Sequence, residues 1–350
     1  MKIKYEVFLI IMFQILTSND RVTGVETNSG TVNCEYFVNC AGMWARELGL
    51  KCKKPVKIPA YPAEHFYAIT NGVKINNGGK MLPCIRDFDS GSYARQYNDE
   101  LLIGWFENEA KAAYGGEVPK NWMKDLKQDF PSIESSWDKT TNRFPVLKNL
   151  DKPFISNNPD NFTPDGRWVL GETAEINNYF VAVGMNGNSI QGAGGVGKAV
   201  AEWIVQGAPT QELFPFNIQR FLDLHNNRQY LEQRVKEVVG RHYSIIYPIQ
   251  SEYKYARNLR CSPLFTILEQ RGAVFGTKMA YERALYFDTT YKRGESELPQ
   301  MPPGSFFKPK FFKFLQSEYN ACKETVGIID ISSFSKIKIK VIKIMGTVMN

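Results

Sequence analysis

The sequence predicts an α/β chain continued by α+β structure, and three observations predict it. An apolar run with strand character, Tyr179–Val183, feeds a loop with six glycines and then an amphipathic helix. A second strand–glycine–helix junction lies upstream, at VNCEYFVNCAG and the residues after it. Between the two, short aromatic and β-branched runs alternate with Asn, Gly, Asp and Ser, as suits an antiparallel sheet forming a layer of its own.

Taken in order, residues 1–18 carry Lys2 and Lys4 and then an apolar stretch from Val7 to Leu16. It is too short for a membrane span, which needs about 20 residues. It has the length of a signal-peptide core but no small-x-small cleavage site, so a buried strand and sequence foreign to the domain stay open beside that reading. RVTGVE and VNCEYFVNC read as two strands joined by a turn at Asn28-Ser29-Gly30. Ala41 and Gly42 then open a helix through Trp44, Ala45 and Leu48 that ends at Gly49. From Pro55 to about Asn108, HFYAIT, MLPCIRDF, GSYARQY and LLIGWFE read as strands. Residues 120–150 read as helical with Pro131 as a break. Thr163-Pro164-Asp165-Gly166 favours a type I turn, with proline second and glycine fourth.

After the turn come the strand, loop and helix of residues 179–207. Val196, Ala199, Val200, Trp203 and Ile204 fall on one helical face, and Gly207 stands where a left-handed residue closes the helix. Residues 216–239 read as a helix ended by Gly240, and 264–271 as a short one. PQMPPGS is the clearest linker. Residues 311–339 begin something new, a helix followed by a strand.

Gly192, Gly194 and Gly197 spell G-x-G-x-x-G. A dinucleotide fingerprint needs its first glycine directly after the strand and an acidic residue about 20 positions on. Here eight residues separate the strand from Gly192, and no apolar strand follows the helix. The glycines therefore serve either close approach to a cofactor or close packing of helix on sheet.

Net charge is +7, and +5 of it sits in residues 301–350, so a general nucleic-acid surface is excluded. The six cysteines form no C-x-x-C and there are three histidines, so no metal site is expected. Reduced, mostly buried thiols are the default.

The chain resembles a known family on VNCAGMWARELG, AEHFY, NFTPDGRWVLGE, GMNGNSIQGAGGVGKAVAEWIVQG, NRQYLEQRVKEVVGRHY, RCSPLF, GAVFGTKMAYERALYF and CKETVGIIDISSFSKIKI. The family is that of the flavin-dependent dimethylglycine and sarcosine dehydrogenases, together with the regulatory-subunit branch of pyruvate dehydrogenase phosphatase. AEHFY and SSFSK look most like that branch. The resemblance implies a glutathione-reductase-type, D-amino-acid-oxidase-like FAD domain over residues 19–57 and 161–210, interrupted by an antiparallel substrate layer at 58–160. A linker domain would follow at 211–300, then the start of an aminomethyltransferase-like, folate-binding domain at 305–340. Residues 1–18 and 341–350 match nothing in the family. The family's first βαβ unit should precede Arg21, and the flavin-linked histidine is not matched, so the chain is expected to be a fragment that does not retain FAD.

The resemblance also implies site residues. The loop Gly184, Met185, Asn186, Gly187, Asn188 and Ser189 would lie along the flavin, with Gly194 near the start of its helix and Ala41 and Gly42 near the dinucleotide. The family usually reads Asn-Ser-Ala-Gly where this chain has Asn186-Gly187-Asn188-Ser189, a departure that favours a non-catalytic or changed relative. His65 and Tyr67 are candidates to line the active-site cavity, against a packing histidine and a core tyrosine. Arg86 and Arg95 are candidates to hold a substrate carboxylate, against surface arginines. His242-Tyr243 reads as interdomain packing. The implied partner is the pyruvate dehydrogenase phosphatase catalytic subunit, in the mitochondrial matrix. The alternatives are oxidative demethylation of dimethylglycine or sarcosine, with hydride passing to flavin N5 and the iminium to tetrahydrofolate, and a partial product without function.

Overall fold

The computed structural model describes residues 12–70, 78–107, 109–115, 118–119, 126–150, 153–244, 252–290, 308–309 and 311–339. Two compact units divide the chain, residues 1–246 with 254–256, and residues 247–253 with 257–350.

The first unit opens with an antiparallel meander of β1 (Met12–Ser18), β2 (Arg21–Thr27) and β3 (Gly30–Asn33). Ile15 is buried, so among the described residues the apolar N-terminal stretch is a core strand. The run expected as one strand over 32–40 is two. Cys34 N donates to Thr23 O at 3.2 Å, and three residues on Phe37 N donates to Asn178 O at 3.0 Å, in a different sheet. There β4 (Phe37–Asn39) pairs in parallel with β11 (Tyr179–Val183), which pairs antiparallel with β10 (Val169–Glu172). The helix after β4 is a 3-10 turn, Gly42–Trp44, followed by α1 (Ala45–Leu50), so Gly49 lies inside it.

Five antiparallel strands form the intervening layer, in the order β6 (Ile85–Asp87), β7 (Ser92–Tyr97), β8 (Glu100–Trp105), β5 (Tyr61–Ile69), β9 (Ile155–Phe162). Phe66, Ala68, Ile103 and Trp105 pack one face of it with Ile133 and Trp137 of α2 (Phe130–Arg143). Pro131 stands in the first turn of α2, so it starts the helix rather than breaking one. A first-turn proline lacks only an N–H that would go unbonded anyway. Residues 120–125 of the expected helix lie outside the described residues.

Helix α3 (Ser189–Gln206) begins five residues before Gly194, where the sequence placed its start. The G-x-G-x-x-G glycines are therefore helical positions, not a phosphate-gripping turn. Val196, Val200 and Trp203 of α3 are buried with Leu170 and Phe180 of the sheet, each worth roughly 1.5–3 kcal/mol. Gly207 closes the helix in the left-handed region at φ 76°.

Residues 214–226 form short 3-10 turns rather than the first part of a helix. The helix itself, α4 (Arg228–Tyr243), is set by its cap, since the Asn227 side chain accepts from Tyr230 N at 3.0 Å. It runs through Gly240 instead of ending there, and the first compact unit accordingly extends to residue 246.

The second unit holds α5 (Phe265–Gln270), the hairpin of β12 (Ala273–Lys278) and β13 (Tyr281–Phe287), and α6 (Phe312–Glu324). Its buried charge is paired, with Arg257 Nη2 2.6 Å from Glu282 Oε2. Residues 325–339 form no strand, because the described residues offer them no neighbour to pair with, and Ile328 and Ile337 are exposed. The linker PQMPPGS and residues 341–350 lie outside the described residues.

All six cysteines are free thiols, and only Cys52 is buried, against the expectation of mostly buried thiols. Among the described residues no helix is long and apolar enough to cross a membrane, and no group of three or more His, Cys, Asp or Glu is placed to hold a metal ion.

Candidate functional site

The face of the five-stranded sheet away from α2 carries a cluster built by strand register. Arg86 faces Tyr93, Tyr93 faces Gly104, and Gly104 faces Tyr67, so these four positions form one row across β6, β7, β8 and β5. Side chains in such a row share a face. Gly104 leaves room for the ring of Tyr93, since a Cβ there would come 2.1 Å from the ring.

The next residues on that face complete the cluster. His65 Nε2 lies 3.5 Å from Tyr93 Oη, and the His65 ring is 4.9 Å from that of Phe106. Phe106 stacks on Tyr243 of α4 at 3.4 Å between centroids. The Arg86 guanidinium lies over the same Tyr243 ring at 4.3 Å. His65 is half-buried as a residue, but its Nδ1 is fully buried without a hydrogen-bond partner. Burial pushes its pKa down to about 4, so it is neutral at pH 7. Tyr93 is pushed up to about 12 by burial, then by Glu107, and Glu107 itself is pushed up to about 8 by burial.

The glycine-rich loop is fastened to this cluster. Tyr243 Oη donates to Asn186 O at 2.7 Å. A Cβ on Gly187 would come 2.5 Å from that hydroxyl, and φ there is 82°, so glycine is required twice over. Asn186 is buried, its Oδ1 accepting from Thr163 N at 2.9 Å and its Nδ2 donating to Gly184 O at 2.7 Å. Asn188 Nδ2 donates to Asn186 O at 3.2 Å and stands 3.4 Å from His242 Nε2. His242 and Tyr243, expected as packing residues, pack against Asn188, Asn186 and Phe106.

Beside the loop lies a cavity of about 800 Å³. Gly42, Gly184, Met185 and Ser189 line it, with Asp160 and Asn161 of β9 and Val196 and Val200 of α3. Ala41, Asn186, Gly187, Asn188 and Gly194 stand outside that lining and shape or flank it. The Asn161 Oδ1 is buried and without a partner, while its Nδ2 donates to Gly42 O at 2.9 Å. No side chain caps the first turn of α3, whose Ser189 faces the cavity. Such a turn presents free N–H groups to an electron-rich ligand.

Of the candidates from sequence, His65, Tyr67 and Arg86 come together on one face. Arg95 does not join them, since its guanidinium lies over Tyr97 at 5.3 Å and donates to Gln96 O. Tyr93, Phe106, Glu107, Asp160 and Tyr243 were missed. The available signals were the alternation of GSYARQY and a lone acid closing the apolar run LLIGWFE.

The description "FAD dependent oxidoreductase" fits residues 13–203, and "FAD dependent oxidoreductase central domain" fits residues 206–262. The chain belongs to the FAD dependent oxidoreductase family. Within the family it is 36% identical over 94% of its length to the mitochondrial pyruvate dehydrogenase phosphatase regulatory subunit of Mus musculus. It is 32% identical to the formaldehyde-forming 4-methylaminobutanoate oxidase of Paenarthrobacter nicotinovorans over 94% of the chain, and 32% to the mitochondrial dimethylglycine dehydrogenase of Rattus norvegicus over 96%. The chain spans 37% of the first relative's length and 39% of each of the other two. Among solved structures, L-proline dehydrogenase from P. horikoshii superposes with a TM-score of 0.50 at 26% identity, over 60% of this chain and 53% of that one.

A family member calls for FAD, and the cavity fits such a group. Its volume is ample, its wall holds an orphaned acceptor at Asn161, and α3 meets it with an uncapped first turn. Gly194, Gly195 and Gly197 have open space in front of them.

Proposed function

We propose that this flavoprotein-fold chain works as a regulatory subunit of pyruvate dehydrogenase phosphatase in the mitochondrial matrix, with the phosphatase catalytic subunit as its partner. The observation that carries the reading is its 36% identity over 94% of the chain to the mouse regulatory subunit. The bulkier Asn188, bonded to Asn186 and beside His242, supports a loop adapted for holding shape. In this reading Gly42, Gly184, Met185 and Ser189 would hold FAD, with Asp160 and Asn161 accepting from its hydroxyls. Tetrahydrofolate would be the ligand of the aminomethyltransferase-like domain that residues 305–340 resemble the start of. Immobilised chain is expected to capture the phosphatase catalytic subunit with a Kd of about 1 μM or tighter. Capture no stronger than that of an unrelated flavoprotein would sink the proposal.

A second reading is oxidative demethylation of an N-methylated amino acid. The neutral His65 beside Tyr93 Oη and the row that adds Arg86 favour it. When bound, FAD supplies a two-electron acceptor. His65 would orient the amine and keep it unprotonated, Arg86 would pair with its carboxylate, and Phe106 and Tyr243 would exclude water. Bleaching of added FAD by dimethylglycine or sarcosine would favour this reading over the first.

A further inference from the structure

Three positions of the glycine-rich loop stand in the left-handed region, Gly184 at φ 64°, Asn186 at φ 50° and Gly187 at φ 82°. A loop bent in this way keeps one shape only when its surroundings hold it. Two consecutive residues of α4 do so. Tyr243 Oη donates to the Asn186 carbonyl at 2.7 Å, and His242 Nε2 stands 3.4 Å from Asn188 Nδ2. Asn188 Nδ2 also donates to that same Asn186 carbonyl, at 3.2 Å.

The bond to the carbonyl decides how the Asn188 amide is turned, because only its nitrogen can donate. The second hydrogen of Nδ2 is left for His242, whose Nε2 must then offer a lone pair. A protonated imidazole carries N–H at both nitrogens and would set donor against donor. The ring has little room to turn away. A Cβ on Gly166 would come 3.2 Å from its Nδ1, and Tyr243 stands edge-on to it at 4.7 Å between centroids. Arg86 of β6 is the charge that acts on the ring. Asp165, in the turn with Gly166, is paired with Arg220 at 2.8 Å, and Asp160 of β9 acts on Tyr243.

We propose that His242 and Asn188 form a proton-sensitive latch, which holds the loop against α4 while the imidazole is neutral and releases it when the imidazole is protonated. Gly184, Met185 and Ser189 line the cavity, so release loosens the wall that a ligand meets there. Burial, and then the Arg86 charge, keep the His242 pKa below its ordinary 6.5 in the closed loop. Closure is therefore complete above pH 6.5 and weakens as the pH falls below it, by at most about tenfold per pH unit.

Hydrogen exchange of the full chain, followed by mass spectrometry over residues 184–191, tests the latch. Asn186 N donates to Asn161 O and Asn188 N to Met185 O, so the exchange of these amides reports closure. After correction for the intrinsic pH dependence of exchange, protection should be level above pH 6.5 and about threefold or more lower at about pH 5.5. Asn188→Ala should start lower and stay flat. His242→Gln, whose Oε1 accepts without titrating, should hold the wild-type plateau throughout. A wild-type loop indifferent to pH, or either variant following the wild-type curve, overturns the proposal. So does a parallel fall at Ile103 of β8, which would mean general unfolding. A measurement without a variant is the nitrogen-15 spectrum of the histidine side chains at about pH 7.5. Nε2 of His242 should be the unprotonated nitrogen, and a protonated Nε2 overturns the idea. Neither readout uses FAD or the phosphatase, so the latch stands or falls apart from both functional readings.

Discussion

His65 and Glu107 are uncharged at neutral pH for one reason, that burial penalises the ionised form, yet they load stability with opposite sign. The histidine's ordinary 6.5 falls to about 4 in the fold, so the unfolded chain takes up a proton that the folded chain refuses. The stability it allows is full above pH 6.5 and is lost as the pH falls toward 4. The carboxyl's ordinary 4.5 rises to about 8, so the folded chain keeps a proton that the unfolded chain gives up. Its contribution is full below pH 4.5 and is lost as the pH rises toward 8. The two slopes oppose each other up to pH 6.5, which leaves pH 6.5–8 to Glu107. There the wild-type chain should lose about 1.4 kcal/mol per pH unit that Glu107→Gln does not lose. Urea midpoints of the two proteins across that window check it, and parallel curves would refute the assignment. At this scale the sequence identified chemistry better than company. The family resemblance marks His65, Tyr67, Arg86 and Arg95 as candidates, but that Tyr93 faces Arg86 on one side and Gly104 on the other depends on pairing between strands.

Helix α4 and the loop before α3 act as one element. Tyr243 Oη is the hydrogen-bond partner of the Asn186 carbonyl, and its ring separates Phe106 from Arg86. Tyr243→Phe keeps the stacking and removes one buried hydrogen bond, leaving a carbonyl unsatisfied. It should cost about 1–3 kcal/mol, read as a lower melting temperature with unchanged far-UV circular dichroism. A loss within a few tenths of a kcal/mol would mean the loop holds itself. Several element boundaries follow from sequence rules, among them the Gly207 cap and the turn at Thr163–Gly166, where Gly166 N donates to Thr163 O at 3.3 Å. Others escaped those rules. Gly240 resembles a helix stop but lies inside α4, because tertiary contacts of Tyr243 continue the helix past it. Pro131 resembles a break but occupies the first turn, where proline is tolerated.

For the whole molecule, the G-x-G-x-x-G glycines lie inside α3, so among the described residues they are not the strand-to-helix turn that grips a pyrophosphate. The cavity can contact a flavin, but the tightest dinucleotide contacts come from such a turn. The purified 350-residue chain should therefore carry well under one FAD per chain. A stable yellow protein with a stoichiometric flavin band would prove that wrong. The sequence by itself determined the family, by resemblance over long segments, and the alternation of α/β and antiparallel segments and the glycine-rich loop, because these last depend on local periodicity and on residue types at fixed spacing. Tertiary structure alone decided that residues 32–40 divide between two sheets, that Glu107 is buried with no hydrogen-bond partner for its carboxyl oxygens, and that Tyr243 closes onto the loop. Those facts rest on register and burial between residues up to about 140 positions apart in the chain, which no local pattern encodes.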